Sequence, residues 1–243
     1  MKGIILCGGN GTRLRPLTNI TNKHLLAVYN KPMVEYPMRT LIGIGITDIL
    51  IVSGREHAGS FINYLGSGKD FGVNLTYRVQ EKAGGIAEAL GLAKGFANGE
   101  SITVILGDNY FSHPISVDRV AEDSAAIIVK EVEDPERFGV YNQKLEIIEE
   151  KPKKPASNLA VTGFYIYPND VFDLITTLKP SDRGELEITD VNNYYLEQKR
   201  MIVAQYNGLW SDMGTPESLA QTISLIRIKT KVEEKQMQKL HRA

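Results

Sequence analysis

Short runs of aliphatic residues alternate along the chain with longer segments in which apolar positions recur every three or four residues. The runs Gly3–Cys7, Ile49–Ser53, Leu75–Val79, Thr103–Leu106 and Ala125–Val129 are rich in Ile and Val, which predicts strands buried on both faces. Between them, the longer spacing predicts helices over Met33–Ile44, Glu56–Leu65, Ile86–Phe96 and Val117–Asp123. Strand and helix therefore alternate. That order is the signature of an α/β fold: a Rossmann-like, three-layer, mostly parallel sheet wrapped by helices through right-handed crossovers. Ligands of such sheets sit at the carboxyl ends of the strands.

After about Glu131 the pattern loosens. Short strands are predicted over Val140–Tyr141, Ile147–Glu150, Ala160–Tyr167 and Met201–Gln205, with helices near Asn169–Leu178 and Glu187–Glu197, giving a smaller lid or substrate-binding subdomain. Thr215-Pro216-Glu217 combines an N-cap residue, a proline at the first helical position and an acidic first turn, and it opens a helix with Leu219, Ile223 and Ile226 on one face. From Arg227 onward the chain is strongly basic and reads as a solvated, fraying tail. The reading is one domain in three stretches: 1–130, 131–215 and a C-terminal helix over 216–243.

Composition narrows the function. The 243 residues are 42% hydrophobic and 23% charged, ordinary for a globular protein and enough for one large core. Twenty-eight Lys and Arg against 29 Asp and Glu leave a net charge of −1, which disfavours nucleic acid as a partner. Cys7 is the only cysteine, so no intramolecular disulfide or cysteine metal cluster can form, and a reducing compartment fits best. The opening apolar run ends in glycines too early for a signal segment, and Asp48 interrupts the best apolar stretch, Leu41 to Val52. A cytoplasmic protein with no membrane partner is expected.

The chemistry starts in the loop after the first strand, Leu6-Cys7-Gly8-Gly9-Asn10-Gly11-Thr12-Arg13-Leu14. Three glycines in four positions let the backbone turn tightly and offer its amides to anionic oxygens, so phosphate is the natural ligand. Leu14 stands where the dinucleotide fingerprint requires its third glycine, which weakens a redox reading. Gly66-Ser67-Gly68-Lys69 superficially resembles a Walker loop, but Asp70 replaces the required hydroxyl residue, and the segment reads as a turn. Arg13 and Lys23 beside a bed of amides suit a triphosphate. Asp108 and Asp212 each follow a predicted strand, and two hard carboxylates at a phosphate site suggest Mg²⁺, although aspartates also cap helices and turns. Gln80 ends the third strand. Its amide can accept from N3–H and donate to O4 of thymine or uracil alike, and it also suits a surface position. None of His24, His57, His113 and His241 has metal-ligand spacing, and no serine or cysteine is framed by a base, so packing or surface roles are expected for the histidines.

The run Leu6 to Thr18, followed by Asn22-Lys23-His24-Leu25-Leu26-Ala27-Val28-Tyr29-Asn30-Lys31-Pro32-Met33, resembles the sugar-1-phosphate nucleotidyltransferases. The resemblance continues in Leu106-Gly107-Asp108-Asn109, Asp134-Pro135-Glu136-Arg137-Phe138-Gly139-Val140, Glu149-Glu150-Lys151-Pro152, Val161-Thr162-Gly163, Arg183 to Asp190 and Trp210 to Thr215, covering nearly the whole chain in order. It implies Mg²⁺-dependent transfer of a thymidylyl group from dTTP to glucose 1-phosphate by in-line displacement, in a homo-oligomer. Arg13, Lys23, Asp108, Lys151 and Asp212 would be catalytic, with Asp108 and Asp212 on the metal. Leu6, Gly8, Gly9, Gly11, Thr12, Arg13, Gln80, Gly85 and Asp108 would hold the nucleotide. Asn109, Gly139, Glu150, Lys151, Val161 and Arg183 would hold the sugar phosphate, while Tyr110 and Trp210 read as packing residues. A UTP-using enzyme and a non-catalytic nucleotide-sugar-binding regulator are the alternatives. The chain departs from the family pattern at Cys7, Asn10, Glu88 (glutamine is common there) and Met213. Cys7 reads as a buried, inert thiol.

Overall fold

The computed structural model describes residues 1–116 and 120–240. Among the described residues nine strands form one sheet: β1 (Lys2–Cys7), β2 (Asp48–Gly54), β3 (Asn74–Gln80), β4 (Ile102–Leu106), β5 (Ala125–Glu131), β6 (Gly139–Asn142), β7 (Ile147–Glu150), β8 (Leu159–Tyr167) and β9 (Met201–Gln205). The order β7-β6-β8-β4-β1-β2-β3 is extended by β5 on the other edge of β8 and by β9 beyond it. Neighbours within β1 to β4 run parallel, and β8 runs antiparallel to both β4 and β5. The carboxyl ends of β1, β3 and β4 and the first half of β8 therefore converge on one edge of the sheet. Tyr110–Phe111 pairs with Trp210–Ser211 in a short ladder beside that edge.

Among the described residues seven α-helices complete the layers: α1 (Glu35–Gly43), α2 (Ala58–Leu65), α3 (Ile86–Gly91), α4 (Lys94–Ala97), α5 (Val171–Ile175), α6 (Ile188–Glu197) and α7 (Pro216–Leu240). Alternate strand residues feed two cores, as a sheet covered on both faces requires. Ile4, Leu6, Leu50, Val52 and Val104 face α3, α4, α5 and α6, whereas Ile5, Cys7, Ile49, Ile51 and Ile105 face α1 and α2. Burying each such aliphatic chain contributes roughly 1.5–3 kcal/mol, so the doubly buried central strands anchor the loops that follow them. A smaller cluster of Leu14, Val28, Met33, Tyr110, Met213, Leu219 and Ile226 seats α7 and the turn after the glycine loop.

Several expectations are corrected. Leu75–Val79 is not buried on both faces: β3 is an edge strand, so Asn74, Thr76 and Arg78 face solvent while Leu75 and Tyr77 pack on the α1–α2 core. The helix expected over Ile86–Phe96 is two short ones, interrupted after Gly91, which lies against Ile175 of α5. Of the helix expected over Val117–Asp123, residues 117–119 lie outside the described residues and residues 120–123 are not helical. Residues 227–237 are exposed as expected apart from half-buried Thr230, but the helix continues to Leu240, and Lys229 Nζ donates to the Ser112 carbonyl at 2.7 Å. His241 lies outside the described residues. Thr215 caps α7 as expected, its Oγ1 accepting from the Ser218 amide at 3.1 Å. No helix among the described residues is long and apolar enough to cross a membrane.

Candidate active site

The glycine loop leaves the end of β1 and is shaped by two backbone positions at φ +88° (Gly9) and +58° (Gly11), where a side chain would be strained. At Gly8 the constraint is space: a Cβ there would lie 2.5 Å from Gln80 Oε1. Thr18 Oγ1 donates to the Gly11 carbonyl at 2.8 Å, and buried Leu14 anchors the turn below. Leu6, Gly8, Gly9, Gln80, Gly85 and Asp108 line a first cavity at this edge. Gly11 and Thr12 do not line it and instead turn the loop, while Arg13 lines a second cavity. Gly85 closes the first cavity at φ +100°, pressed so tightly on the Leu186 backbone that a Cβ would meet its carbonyl at 2.5 Å.

The second cavity gathers the rest. Arg13, Lys23, Asp108, Asn109, Gly139 and Glu150 line it, as do Lys151, Val161, Arg183 and Asp212. Lys23 and Asp108 border both cavities, and Lys23 also borders a third, polar one carrying Arg15, Arg55, His57 and Lys82. Three compartments thus share one residue, Lys23.

Asp108 is buried at the end of β4. Its Oδ2 accepts from Lys23 Nζ at 2.5 Å and its Oδ1 from Asn109 Nδ2 at 3.0 Å. Burial alone would raise the Asp108 carboxyl, but the Lys23 charge and these two hydrogen bonds outweigh it and hold the group below the ordinary aspartate value. Asn109 is held in turn, since its Oδ1 accepts from the Gly163 amide at 2.9 Å and from Trp210 Nε1 at 2.7 Å. Asn109 therefore positions Asp108 with most of its polar capacity already used. Trp210, expected only to pack, carries this indole bond and lines the second cavity; Tyr110 does pack, edge-on to Tyr36.

Asp212 follows the short ladder strand and accepts from Arg137 Nη2 at 2.7 Å. Arg137 also donates to Asp134 at 2.6 Å and lies over the Phe138 ring. Sequence reasoning gave Arg137 no role. The signal was the i, i+3 pair Asp134 and Arg137 inside a segment already singled out. Arg13 Nη2 and Asp212 Oδ2 lie 3.0 and 3.1 Å from the place where Gly214 lacks a Cβ, so this glycine makes room for both.

Glu150 ends β7. Its Oε2 accepts from Thr189 Oγ1 at 2.6 Å, and Arg183 Nη2 and Lys151 Nζ each stand 3.2 Å from its Oε1. Burial raises the Glu150 carboxyl, but the Thr189 bond, Lys151 and Arg183 together carry it below the ordinary glutamate value. Arg183 also holds Glu187 at 2.8 Å, so the structure ties this arginine to carboxylates rather than presenting it as a free cation. Lys151 has φ +45° and Met213, beside Asp212, has φ +41°. Left-handed backbone at non-glycine residues costs energy and clusters where side-chain placement matters.

His24 sits beneath the site, 1% exposed, with Nδ1 2.7 Å from Asn22 Oδ1. Burial, then the Lys23 charge, drives it down to about 3, so it is neutral and packed, as expected of a histidine without ligand spacing. Cys7 is fully buried, and burial followed by the Asp108 charge pushes its thiol far up, which makes it inert.

A glucose-1-phosphate thymidylyltransferase of Neisseria meningitidis is 43% identical over 239 residues, which cover 93% of this chain and 83% of the relative; one from Mycobacterium tuberculosis is 41% identical over 237 residues, covering 93% and 82%. Among solved structures, a Bacillus anthracis protein assigned as a glucose-1-phosphate thymidylyltransferase, in complex with a sucrose, superposes with a TM-score of 0.88 at 50% identity, covering 93% of this chain and 95% of that one. A UDP-glucose pyrophosphorylase complexed with UDP-glucose gives 0.79 at 25% identity, covering 94% and 98%. The glycine loop, the strand-end aspartates and the second cavity all fall inside residues 2–227, which match the model of the nucleotidyl transferase family, and to that family this chain belongs.

Proposed function

We propose that this chain transfers a thymidylyl group from dTTP to glucose 1-phosphate. The observation that carries the reading is the junction at Lys23 and Asp108, where a glycine-walled cavity and a larger, charged one share a wall. Nucleotide in the first and sugar phosphate in the second bring the α-phosphorus to that wall. A phosphate oxygen of the sugar attacks the α-phosphorus, the bond to the β-phosphate oxygen breaks, and pyrophosphate leaves. The nucleophile is an anion at neutral pH, so no general base is required, and positioning with charge neutralisation does the catalysis. Lys23, on both cavities, opposes the charge that builds on the leaving group, Arg13 opposes phosphate charge from the second-cavity side of the shared wall, and Lys151 steadies the attacking phosphate. On this reading residues 1–130 chiefly serve the nucleotide and 131–215 the sugar phosphate, with Arg13, Lys23, Asp108 and Asn109 of the first stretch also lining the second cavity.

Mg²⁺ belongs to this reading, and the residues fit it. Asp108 and Asp212 turn hard oxygens into the same cavity, each with its charge met by a cation of the chain, Lys23 and Arg137. No set of three or more metal-ligating side chains occurs among the described residues. A pair of carboxylates suits Mg²⁺, which completes its shell with phosphate oxygens and water. Bound there, the ion supplies neutralisation of phosphate charge. Self-association and a cytoplasmic setting are further parts of the reading; α7 carries Leu225, Ile228 and Val232 exposed along one side, which supports contact with another copy.

A coupled pyrophosphate-release assay tests this. Release should require glucose 1-phosphate, favour dTTP and stop under exhaustive chelation. A preference for UTP would move the chain to uridylyl transfer, and no release with either nucleotide would overturn the reading.

A further inference from the structure

Gln80 is the last residue of β3, and its buried amide forms part of the wall of the first cavity. Two neighbours fix which way that amide faces. Nε2 donates to Glu88 Oε2 and lies 3.4 Å from the Gly85 carbonyl, so both contacts on that side are acceptors. A carboxylate and a carbonyl cannot donate, and turning the amide over would set Oε1 against both of them. Oε1 is therefore held on the opposite side, above Gly8, 2.5 Å from where a Cβ would stand. Among the described residues no donor reaches it. Glu88 itself is fixed on α3, its stem packed against Gly84, with a Cγ 3.2 Å from the place of that glycine's missing Cβ.

We propose that Glu88 is a positioning residue that locks the Gln80 amide as an acceptor toward the nucleobase, and so sets the choice of base. The inference rests on the function proposed above, with the nucleotide in the first cavity. An acceptor aimed at the base selects an edge that donates at N3, as thymine and uracil do, and rejects cytosine, whose N3 is itself an acceptor. A glutamine at position 88 would not enforce this. Its amide can donate or accept, so only the Gly85 carbonyl would still oppose turning Gln80 over, and the hold on the amide would be weaker.

The test is the ratio of kcat/KM for dTTP over dCTP, each measured with saturating glucose 1-phosphate. The wild-type ratio should be high. In Glu88→Gln, the same in shape but able to donate, it should fall ~10-fold or more, because a mispaired buried acceptor no longer penalises cytosine; Glu88→Ala should fall likewise. A purely structural role would lower both nucleotides together and leave the ratio intact, and that result overturns the proposal. Gln80→Met offers an independent check. Removing the acceptor should collapse the ratio, and undiminished discrimination would show that the amide does not read the base. A wild-type enzyme that uses dCTP as well as dTTP also overturns the proposal, whereas a wild-type protein with no turnover of any pyrimidine nucleotide overturns the underlying function instead.

Discussion

The two walls of the site are built by different means. Around the first cavity the backbone does the shaping: glycines at Gly8, Gly9 and Gly85 admit close approach, and the strand ends of β1, β3 and β4 deliver Leu6, Gln80 and Asp108 from doubly packed or edge positions. Around the second, long charged side chains from four separated segments hold one another, with Glu150 meeting Arg183, Lys151 and Thr189, and Asp212 meeting Arg137. A backbone-shaped wall is rigid before the ligand arrives. A wall of mutually paired ions has to exchange some of those pairs for contacts with substrate phosphate, so its charges are stored in the free protein and redirected on binding.

Breaking the shared boundary should have the largest effect. Asp108→Asn keeps the shape and removes the charge that faces Lys23, and kcat should fall ~10²-fold or more, measured by single-turnover pyrophosphate release. The next pair of variants separates the walls. Gly8→Ala pushes a methyl group onto Gln80 Oε1 and should raise the nucleotide KM ~10-fold with the sugar-phosphate KM within about twofold of wild type. Arg183→Ala should do the reverse, raising the sugar-phosphate KM ~5-fold by freeing Glu150. Equal effects on both KM values from either change would erase the distinction.

The smallest effect concerns stability. His24 stays neutral in the fold down to about 3, whereas an unfolded histidine takes up its proton near 6.5. The unfolded chain therefore binds more protons between those values, and stability declines as pH falls through that window. Asp108, held below its ordinary value, adds a loss only at lower pH, as pH falls through its folded-state value. His24→Asn should flatten the slope between pH 6.5 and 4.5 by up to one proton, read from urea midpoints at a series of pH values.

The alternation of aliphatic runs with helical spacing was enough to reveal the sheet, because β1, β2, β4 and β5 are buried on both faces and leave a continuous apolar signature. It overstated β3, since an edge strand needs only one apolar face and Leu75, Tyr77 and Val79 sit on it alone. In the site, spacing and residue chemistry exposed the glycine loop and both aspartates. Arg137, Trp210 and the true setting of Arg183 were hidden because their significance lies in pairs formed across 75, 101 and 33 positions of chain, with Asp212, Asn109 and Glu150. A linear pattern does not carry such distances. The resemblance marked the segments containing these residues, but their partners became visible only in three dimensions.

Strand β8 hydrogen-bonds to β4 along one edge and to β5 along the other. Severing the chain near residue 130 would strip β4 of that neighbour and bare a row of unpaired amides and carbonyls flanked by Val104 and Ile105, an open invitation to aggregate. The amino-terminal portion is thus no detachable module, and calorimetry should record a single cooperative melt for the whole polypeptide.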